Sequence, residues 1–396
     1  MSVITRHEDL LTDDMLARFD ERAPIFDREN RFFTEDFDEL VASGYLRAAV
    51  PEELGGSGLA LDQVMRLQRR LAYHAPATAI AVNMHLYWTG LAADMARFGD
   101  ERCAFILREA AAGHVFAAGH GEAGNDAGLF AATTQAERVD GGWVFTGRKV
   151  FGSLSPVWTY LGLHGMDTSD PADPKVVHAF LPRDAEGYRI EETWDALGMR
   201  ATASHDTVLD RAFVPDHLAP VVVPAGARGA DLFHLTLLAW GLLGFASVYS
   251  GVAHRAYDLV VESAGRRGSI GLGEGRTVAH HPEVQRMVAE MRMNLEAIDA
   301  YLARMCEDWA TGADHGADWP LKIVAAKHFV VTKAFEVVDT AMDMTGGAGV
   351  FKRNRLEQLF RDARLGRMHP GNRMATIEIV GKAALGLDPD EQPRWG

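Results

Sequence analysis

The chain has 396 residues, 47% of them hydrophobic and 24% charged, with a formal net charge of −15. This composition suits an ordinary globular protein of two or three structural units. Acids and bases are interspersed, which argues against a general nucleic-acid binder but not against a local arginine site for a phosphate-bearing ligand. The two cysteines, Cys103 and Cys306, form neither a CxxC nor a metal spacing, so neither a disulfide framework nor a metal site is expected.

The N-terminal stretch "MSVITRHEDLLTDDML" has no apolar core followed by a cleavage site, so no secretory signal is read and a cytoplasmic location is expected. Residues 1–115 read as an α-helical domain. In "LDQVMRLQRRLAYHAP", Asp62 is the candidate N-cap, Val64, Leu67 and Leu71 form one stripe, and Pro76 follows as a stop. "GDERCAFILREAAAG" opens on Asp100 and closes on Gly113 in the same way. Near Val115 glycines multiply and short β-branched or aromatic runs fall between turn signals, as in "GGWVFTGRKVFGS", "KVVHAFLP" and "HDTVLDRAFVP". Residues 116–225 therefore read as a middle β domain.

Helices return over residues 226–396. "LFHLTLLAWGLLGFASVYSGV" from Leu232 to Val252 lacks Asp, Glu, Lys and Arg and is long enough to span a bilayer. It also carries His234, glycines and hydroxyls. Leu242, Phe245, Tyr249, Val252, Ala256 and Leu259 carry its helical step onward into "AHRAYDLVVE", so it reads as a buried central helix and no membrane partner is expected. The order helix–sheet–helix gives an α+β class and argues against alternating βαβ units.

The glycine clusters "GGSG" (55–58), "GHGEAGND" (119–126) and "TGGAGVF" (345–351) could let a backbone approach a phosphate, yet none is a P-loop or a strand–GxGxxG–helix unit. Each is also an ordinary turn or cap. Arg266 and Arg267 fall at a helix end in "GRRGSIG", and Arg361, Arg364 and Arg367 flank Asp362 in "FRDARLGR". Arginine forks suit phosphate, and surface ion pairs are the plainer use. In "RMHPGNRM", Pro370 and Gly371 stop regular structure and a helical pattern resumes after them, so His369 sits on a corner at the mouth of a helix. HExxH, GxSxG and Cys–His signatures are absent from the sequence. Residue spacing alone supports a helix–β–helix protein able to bind a phosphorylated ligand.

Taken in series, "AAVPEELGGSGL", "WVFTGRKVFGS", "LGMRATASHDTVLDRAFVP", "RRGSIG" and "MTGGAGVFKRNRLEQLFRDARLGRMHPGN" resemble the acyl-CoA dehydrogenase flavoprotein family over roughly residues 40–385. The resemblance implies an N-terminal α-helical domain, a middle β domain and a C-terminal four-helix bundle. It also implies non-covalent FAD and a homotetramer built as a dimer of dimers. The reaction it implies is α,β-dehydrogenation of an acyl thioester, CoA- or carrier-linked, with an electron-transfer flavoprotein or oxygen as acceptor.

Carried over by position, His120, Gly121 and Asn125 lie on the pyrophosphate loop, with Asn125 in place of a serine. Phe151 stands by the flavin ring and Ser153 near its N5/O4 edge. Arg267 reaches the FAD of a neighbouring subunit, and Gly346 and Gly347 let the chain pass close to it. Asp343 replaces a glutamine and Asn372 a threonine on the adenylate side. The family's base, a glutamate in "YEGT", is Pro370 here. The alternative base position on the first C-terminal helix aligns with His234, again without a carboxylate. Either His234 or His369 then substitutes as base, or a carboxylate elsewhere does, or the reaction differs.

His369 also falls where the two-component flavin monooxygenases of this fold, resembling the dibenzothiophene and hydroxyphenylacetate oxygenases, carry a histidine. That branch uses reduced FMN or FAD supplied by a reductase. A catalytically inactive FAD-binding subunit is a further alternative.

Overall fold

The computed structural model describes residues 9–125 and 127–391. Residues 1–8 of the N-terminal stretch and Asp126 of the "GHGEAGND" loop lie outside them. The N-terminal part is helical: α1 (Asp13–Glu29), α2 (Thr34–Ser43), α3 (Leu61–His74), α4 (Pro76–Arg97) and α5 (Ala104–Ala111). A mixed sheet follows, with β1 (Phe116–Gly119), β2 (Gln135–Val139), β3 (Gly142–Gly152), β4 (Tyr160–Asp167), β5 (Lys175–Pro182), β6 (Tyr188–Glu191), β7 (His205–Pro215) and β8 (Val221–Pro224). Strand order is β6-β7-β3-β2-β4-β5-β8, and β1 pairs parallel to β4. The chain then returns to helix: α6 (Leu232–Arg266), α7 (Pro282–Thr311), α8 (Trp319–Thr345), α9 (Arg355–Leu365) and α10 (Arg373–Leu385).

Two helix boundaries differ from the sequence reading. Ala60, not Asp62, caps α3, because the Gln63 side chain accepts the Ala60 N–H at 3.0 Å and frees Asp62 to pair with Arg66 at 2.8 Å. Pro76 follows the end of α3 at His74, as expected, and also opens α4, where its missing N–H has no partner to lose. Asp100 takes the Arg102 guanidinium and backbone N–H, so α5 begins later, at Ala104. Gly113 closes that segment in the left-handed region (φ +95°), as expected.

The apolar segment beginning at Leu232 is the hub. In α6, 83% of the most apolar window is buried against protein. It packs on α3 and α4 on one side and on α7 and α8 on the other. Close approach depends on small residues. A Cβ on Gly90 would lie 2.2 Å from the Trp240 ring, and one on Gly244 would lie 2.3 Å from Asn83 Oδ1. Trp240 is fully buried, and its indole N–H donates to Asp94 at 2.7 Å. The helix therefore ties the N-terminal helices to the bundle through contacts that allow little give.

Candidate active site

Strained backbone collects at one end of the sheet. Phe151 (φ +61°) and Leu154 (φ +66°) close β3, while Met199 (φ +51°) and Ala203 (φ +45°) precede β7. Non-glycine residues persist there only where their surroundings over-determine them. The surroundings are visible. The Leu154 N–H donates to Thr202 O at 3.2 Å, and Gly152 pairs with His205. Ser153 and Ser204 hydroxyls meet at 2.7 Å, and the Thr202 hydroxyl lies 2.6 Å from Ser204.

Helix α9 pins this corner from behind. The Met199 N–H donates to Asp362 Oδ1 at 2.5 Å and Arg361 to Leu197 O at 2.9 Å. A Cβ on Gly198 would lie 2.5 Å from Arg361 O. Burial pushes the Asp362 carboxyl up to about 7, and nearby Asp27 adds to the push. Arg361 is itself held by Asp27 at 2.6 Å and Glu357 at 2.7 Å. The arginine and aspartate of "FRDARLGR" thus serve the corner rather than a phosphate. What the corner presents is Phe151, 65% exposed, with Trp194 edge-on to its ring at 6.1 Å.

Beside it runs the loop after β1. Gly121 bridges to Val150, the Val150 N–H donating to Gly121 O at 2.8 Å. A Cβ on Gly121 would lie 2.6 Å from Val150 O, so only glycine fits. The loop is stitched by a buried pair that the sequence reading missed. Lys149 Nζ lies 2.6 Å from Glu122 and also donates to His164 O at 2.6 Å. Glu122 accepts further from the Thr133 and Thr134 N–H groups at 2.7 and 2.9 Å. Burial pushes this carboxyl up, but Lys149 and these donors outweigh it and hold Glu122 down to about 2. Burial pulls Lys149 to about 8 against the pull of Glu122. Near neutrality the pair is ionised. Asn125 is consumed by the same loop: its amide donates to Glu122, Gly128 O and Ala131 O, and its oxygen accepts the Ala127 N–H.

His120 faces inward to a block of histidines. Its ring lies 5.3 Å from that of His164; His164 stacks on His178 at 5.7 Å, and His178 meets His234 at 5.1 Å. Burial, and then the nearby Lys149 ammonium, pull His120 down to about 3. Burial with neighbouring Lys149 or His234 pulls His164 and His178 well below the usual imidazole range. These rings are neutral. His234 belongs to the capping box of its own helix, its Nδ1 lying 3.4 Å from the Asp231 N–H and 3.0 Å from the Asp231 carboxylate, and it stacks on Phe130.

His369 lies elsewhere. Its ring stacks on Phe245 at 4.6 Å and 18°, and Nε2 lies 2.8 Å from the Tyr249 hydroxyl. Phe245 is three turns beyond His234 on α6, roughly 16 Å along the axis. The structure therefore does not bring the two candidate bases together. The part of α6 that faces the corner is Leu242, Phe245 and Tyr249, not His234. His369 is half-buried as a whole, but its ring is enclosed. Burial, then the Lys327 ammonium, pull the imidazole down to about 3.

Arg267 and the Gly346–Gly347 turn are brought together. The guanidinium donates to Met344 O at 3.2 Å and Thr345 O at 3.3 Å at the end of α8. Gly346 has φ +65°, and a Cβ on Gly347 would meet nothing within 4 Å. Asp343 is exposed on the last turn of α8, and the Asn372 side-chain oxygen Oδ1 caps α10 by accepting the Ala375 N–H at 3.0 Å.

Residues 11–114 match the acyl-CoA dehydrogenase N-terminal domain, and residues 228–385 match the acyl-CoA dehydrogenase C-terminal domain. The chain is 30% identical to putative acyl-CoA dehydrogenase YdbM of Bacillus subtilis, over 93% of each chain. It is also 30% identical to L-evernosamine nitrososynthase of a Micromonospora species, over 95% of this chain and 89% of that one. Among solved structures, KijD3 in complex with FMN and dTDP-3-amino-2,3,6-trideoxy-4-keto-3-methyl-D-glucose superposes with a TM-score of 0.84 at 27% identity, covering 99% of this chain and 97% of KijD3.

Proposed function

The chain belongs to the acyl-CoA dehydrogenase family, and within it we propose that this protein is an oxygenase, using reduced flavin and molecular oxygen to oxygenate a small polar molecule. Members of the family are flavin-dependent oxidoreductases. The observation that carries the oxygenase reading is the His369 corner. The imidazole is neutral, enclosed by Phe245 and Tyr249, and Pro370 occupies the place of the family's glutamate. A base that removes a C–H proton needs a pKa near the working pH. A ring pulled to about 3 is a poor base and a good neutral hydrogen-bonding group. The likeness to a nitrososynthase points the same way, and makes an amine the first substrate class to test.

The residues fit a flavin. Phe151 offers an exposed ring from a strained backbone, the Gly121 strip leaves no side chain in the way, and Ser153 with Ser204 supplies hydroxyls at the same corner. When bound, reduced flavin supplies the two electrons that activate oxygen. Phe151 would pack on the ring system and the Gly121 backbone would border it. Tyr249 fixes the rotamer of His369 through Nε2, which leaves Nδ1 to donate or accept, according to the tautomer, without carrying charge. Leu242 and Phe245 keep water from this face. The overall change balances as substrate, oxygen and reduced flavin giving hydroxylated substrate, oxidised flavin and water.

Assembly follows from the surface. Met368, Met374, Ile377 and Leu385 are exposed on or beside α10, close in sequence to the Asn372 cap. Large exposed apolar side chains so grouped mark an interaction face. We read it as the contact between copies of the chain, with Arg267 and Gly346–Gly347 serving a neighbour's flavin.

The testing experiment supplies the protein with reduced FMN or FAD, isotopically heavy oxygen and a panel of amines and phenols. Heavy oxygen in the product supports the proposal. Anaerobic bleaching of oxidised flavin by acyl thioesters, with no oxygen incorporation, would establish the second reading, thioester dehydrogenation, which the likeness to YdbM favours.

A further inference from the structure

We propose that Lys327 is the positioning residue of the His369 corner, its ammonium clamping the two peptide carbonyls on either side of Pro370 so that the imidazole is presented from a fixed backbone. The inference rests on reading His369 as the group at the flavin, and it concerns how that group is held.

Lys327 lies on α8, and none of it is exposed. Its Nζ donates to His369 O and to Gly371 O, each at 3.2 Å. Among the described residues no carboxylate pairs with it. Burying an ammonium without a counter-ion is costly, and a methionine would fill the same space without that cost. The cost therefore needs a local reason.

The corner supplies one. Pro370 has no N–H, and Gly371 turns the chain in the left-handed region at φ +67°. The segment between α9 and α10 has no ladder of its own to satisfy carbonyls that point into the bundle. Lys327 satisfies two of them at once, and the Thr376 hydroxyl adds a second bond to Gly371 O at 3.0 Å. His369 is then fixed at three points: its carbonyl by Lys327, its ring face by Phe245 and its Nε2 by Tyr249.

The ammonium also adds to the burial that keeps the ring neutral. It acts on His369, whose Nε2 meets Tyr249 of α6, and Asp362 of α9 acts on that tyrosine in turn. His328 is next to Lys327 on α8, with Arg367 and Arg373 acting on that histidine. Among the described residues no carboxylate acts directly on Lys327 or on the His369 ring. Burial pulls Lys327 itself down to about 7. Below that pH the ammonium grips the two carbonyls with full charge and adds to the burial that keeps His369 neutral; above it, a neutral amine holds the carbonyls more weakly while burial still keeps the ring neutral.

The test is a double-mutant cycle of Lys327→Met and His369→Gln, read on single turnover of reduced flavin with oxygen, with flavin affinity measured alongside. Lys327→Met is expected to lower kcat on the order of 10²-fold, the scale of a reacting group misplaced by about an ångström, to leave KM little changed, and to remove any limb of the pH profile near 7. In the His369→Gln background the same change should do nothing more. Lys327→Gln, which keeps one donor, should recover part of the loss and also serves if Lys327→Met folds poorly. Equal losses in both backgrounds, or full activity and an unaltered pH profile in Lys327→Met, would overturn the inference. If oxygen turnover is absent in the parent protein, the functional reading fails first. The cycle is then run on flavin reduction by thioesters, where non-additivity still decides the role of Lys327.

Discussion

Glu122→Gln tests how the flavin-side loop is held. The substitution keeps shape and one acceptor oxygen, but removes the charge that faces Lys149 across 2.6 Å. Lys149 and Glu122 side chains are 1% and 0% exposed, so solvent does not screen the pair. Breaking a buried pair by removing one partner typically costs about 3–5 kcal/mol, because the other charge is left buried. The His164 carbonyl still accepts from Lys149 and softens this, while the weaker bonds to the Thr133 and Thr134 N–H groups add to it. Unfolding entropy of about 2.1 cal/mol/K per residue gives roughly 0.8 kcal/mol/K for a chain of this length. The expected fall in Tm is therefore about 4–6 °C by differential scanning calorimetry at pH 7.5. Flavin retention after desalting should fall with it, because Glu122 orders the loop between Gly121 and Thr134. The carboxylate's share of stability should vanish in acid, since its depressed pKa makes that share present above about 4.5 and lost as pH falls towards 2. A Tm within 1 °C of the parent at pH 7.5, with unchanged flavin retention, would refute the assignment of this pair as the loop's anchor.

Three further outcomes are expected. Arg267→Ala should lower both flavin retention and the assembled fraction on sizing, since the side chain shapes the turn beside Gly346 and Gly347; unchanged values in both would remove its cross-subunit role. Gly121→Ala forces a methyl to within 2.6 Å of Val150 O and should cost flavin affinity at least tenfold while the circular dichroism spectrum is kept; parent-like affinity would show that the strip does not border the cofactor. His178 is buried and neutral, so below pH 6.5 the unfolded chain takes up a proton that the native ring refuses. His178→Phe should flatten the acid fall of Tm by about 1.4 kcal/mol, or ~2 °C, per pH unit below 6.5, and parallel profiles would contradict that.

The layered order of the fold was legible because period and turn chemistry act locally: Leu242, Phe245 and Tyr249 keep a helical step, and "KVVHAFLP" is the strand β5. Helix starts were less so. Whether Ala60 or Asp62 caps α3 depends on where the Gln63 side chain goes, and composition does not say that. Among the candidate site residues, Gly121 stands where the backbone leaves no room for a side chain, while Phe151 was supplied by resemblance alone. Two lysines that organise the site were not. A lone Lys149 in "GRKVFG" or Lys327 in "AAKHF" reads as a solvated charge, since lysines are rarely buried. Only the tertiary structure shows that one meets Glu122 and the other two carbonyls. Asn125 was assigned outward to a cofactor, yet its donors and acceptor are engaged within its own loop.

The most direct measurement of the central claim is rapid mixing of the reduced-flavin-loaded protein with oxygenated buffer, with and without His369→Ala. The parent should pass through a transient absorbance that is neither reduced nor oxidised flavin before oxidised flavin appears. His369→Ala should shorten its lifetime by roughly 10²–10⁴-fold, the scale of a positioned hydrogen-bonding or proton-transferring group. Direct return to oxidised flavin in the parent, at the same rate as in His369→Ala, would contradict the account and return this histidine to closing a turn.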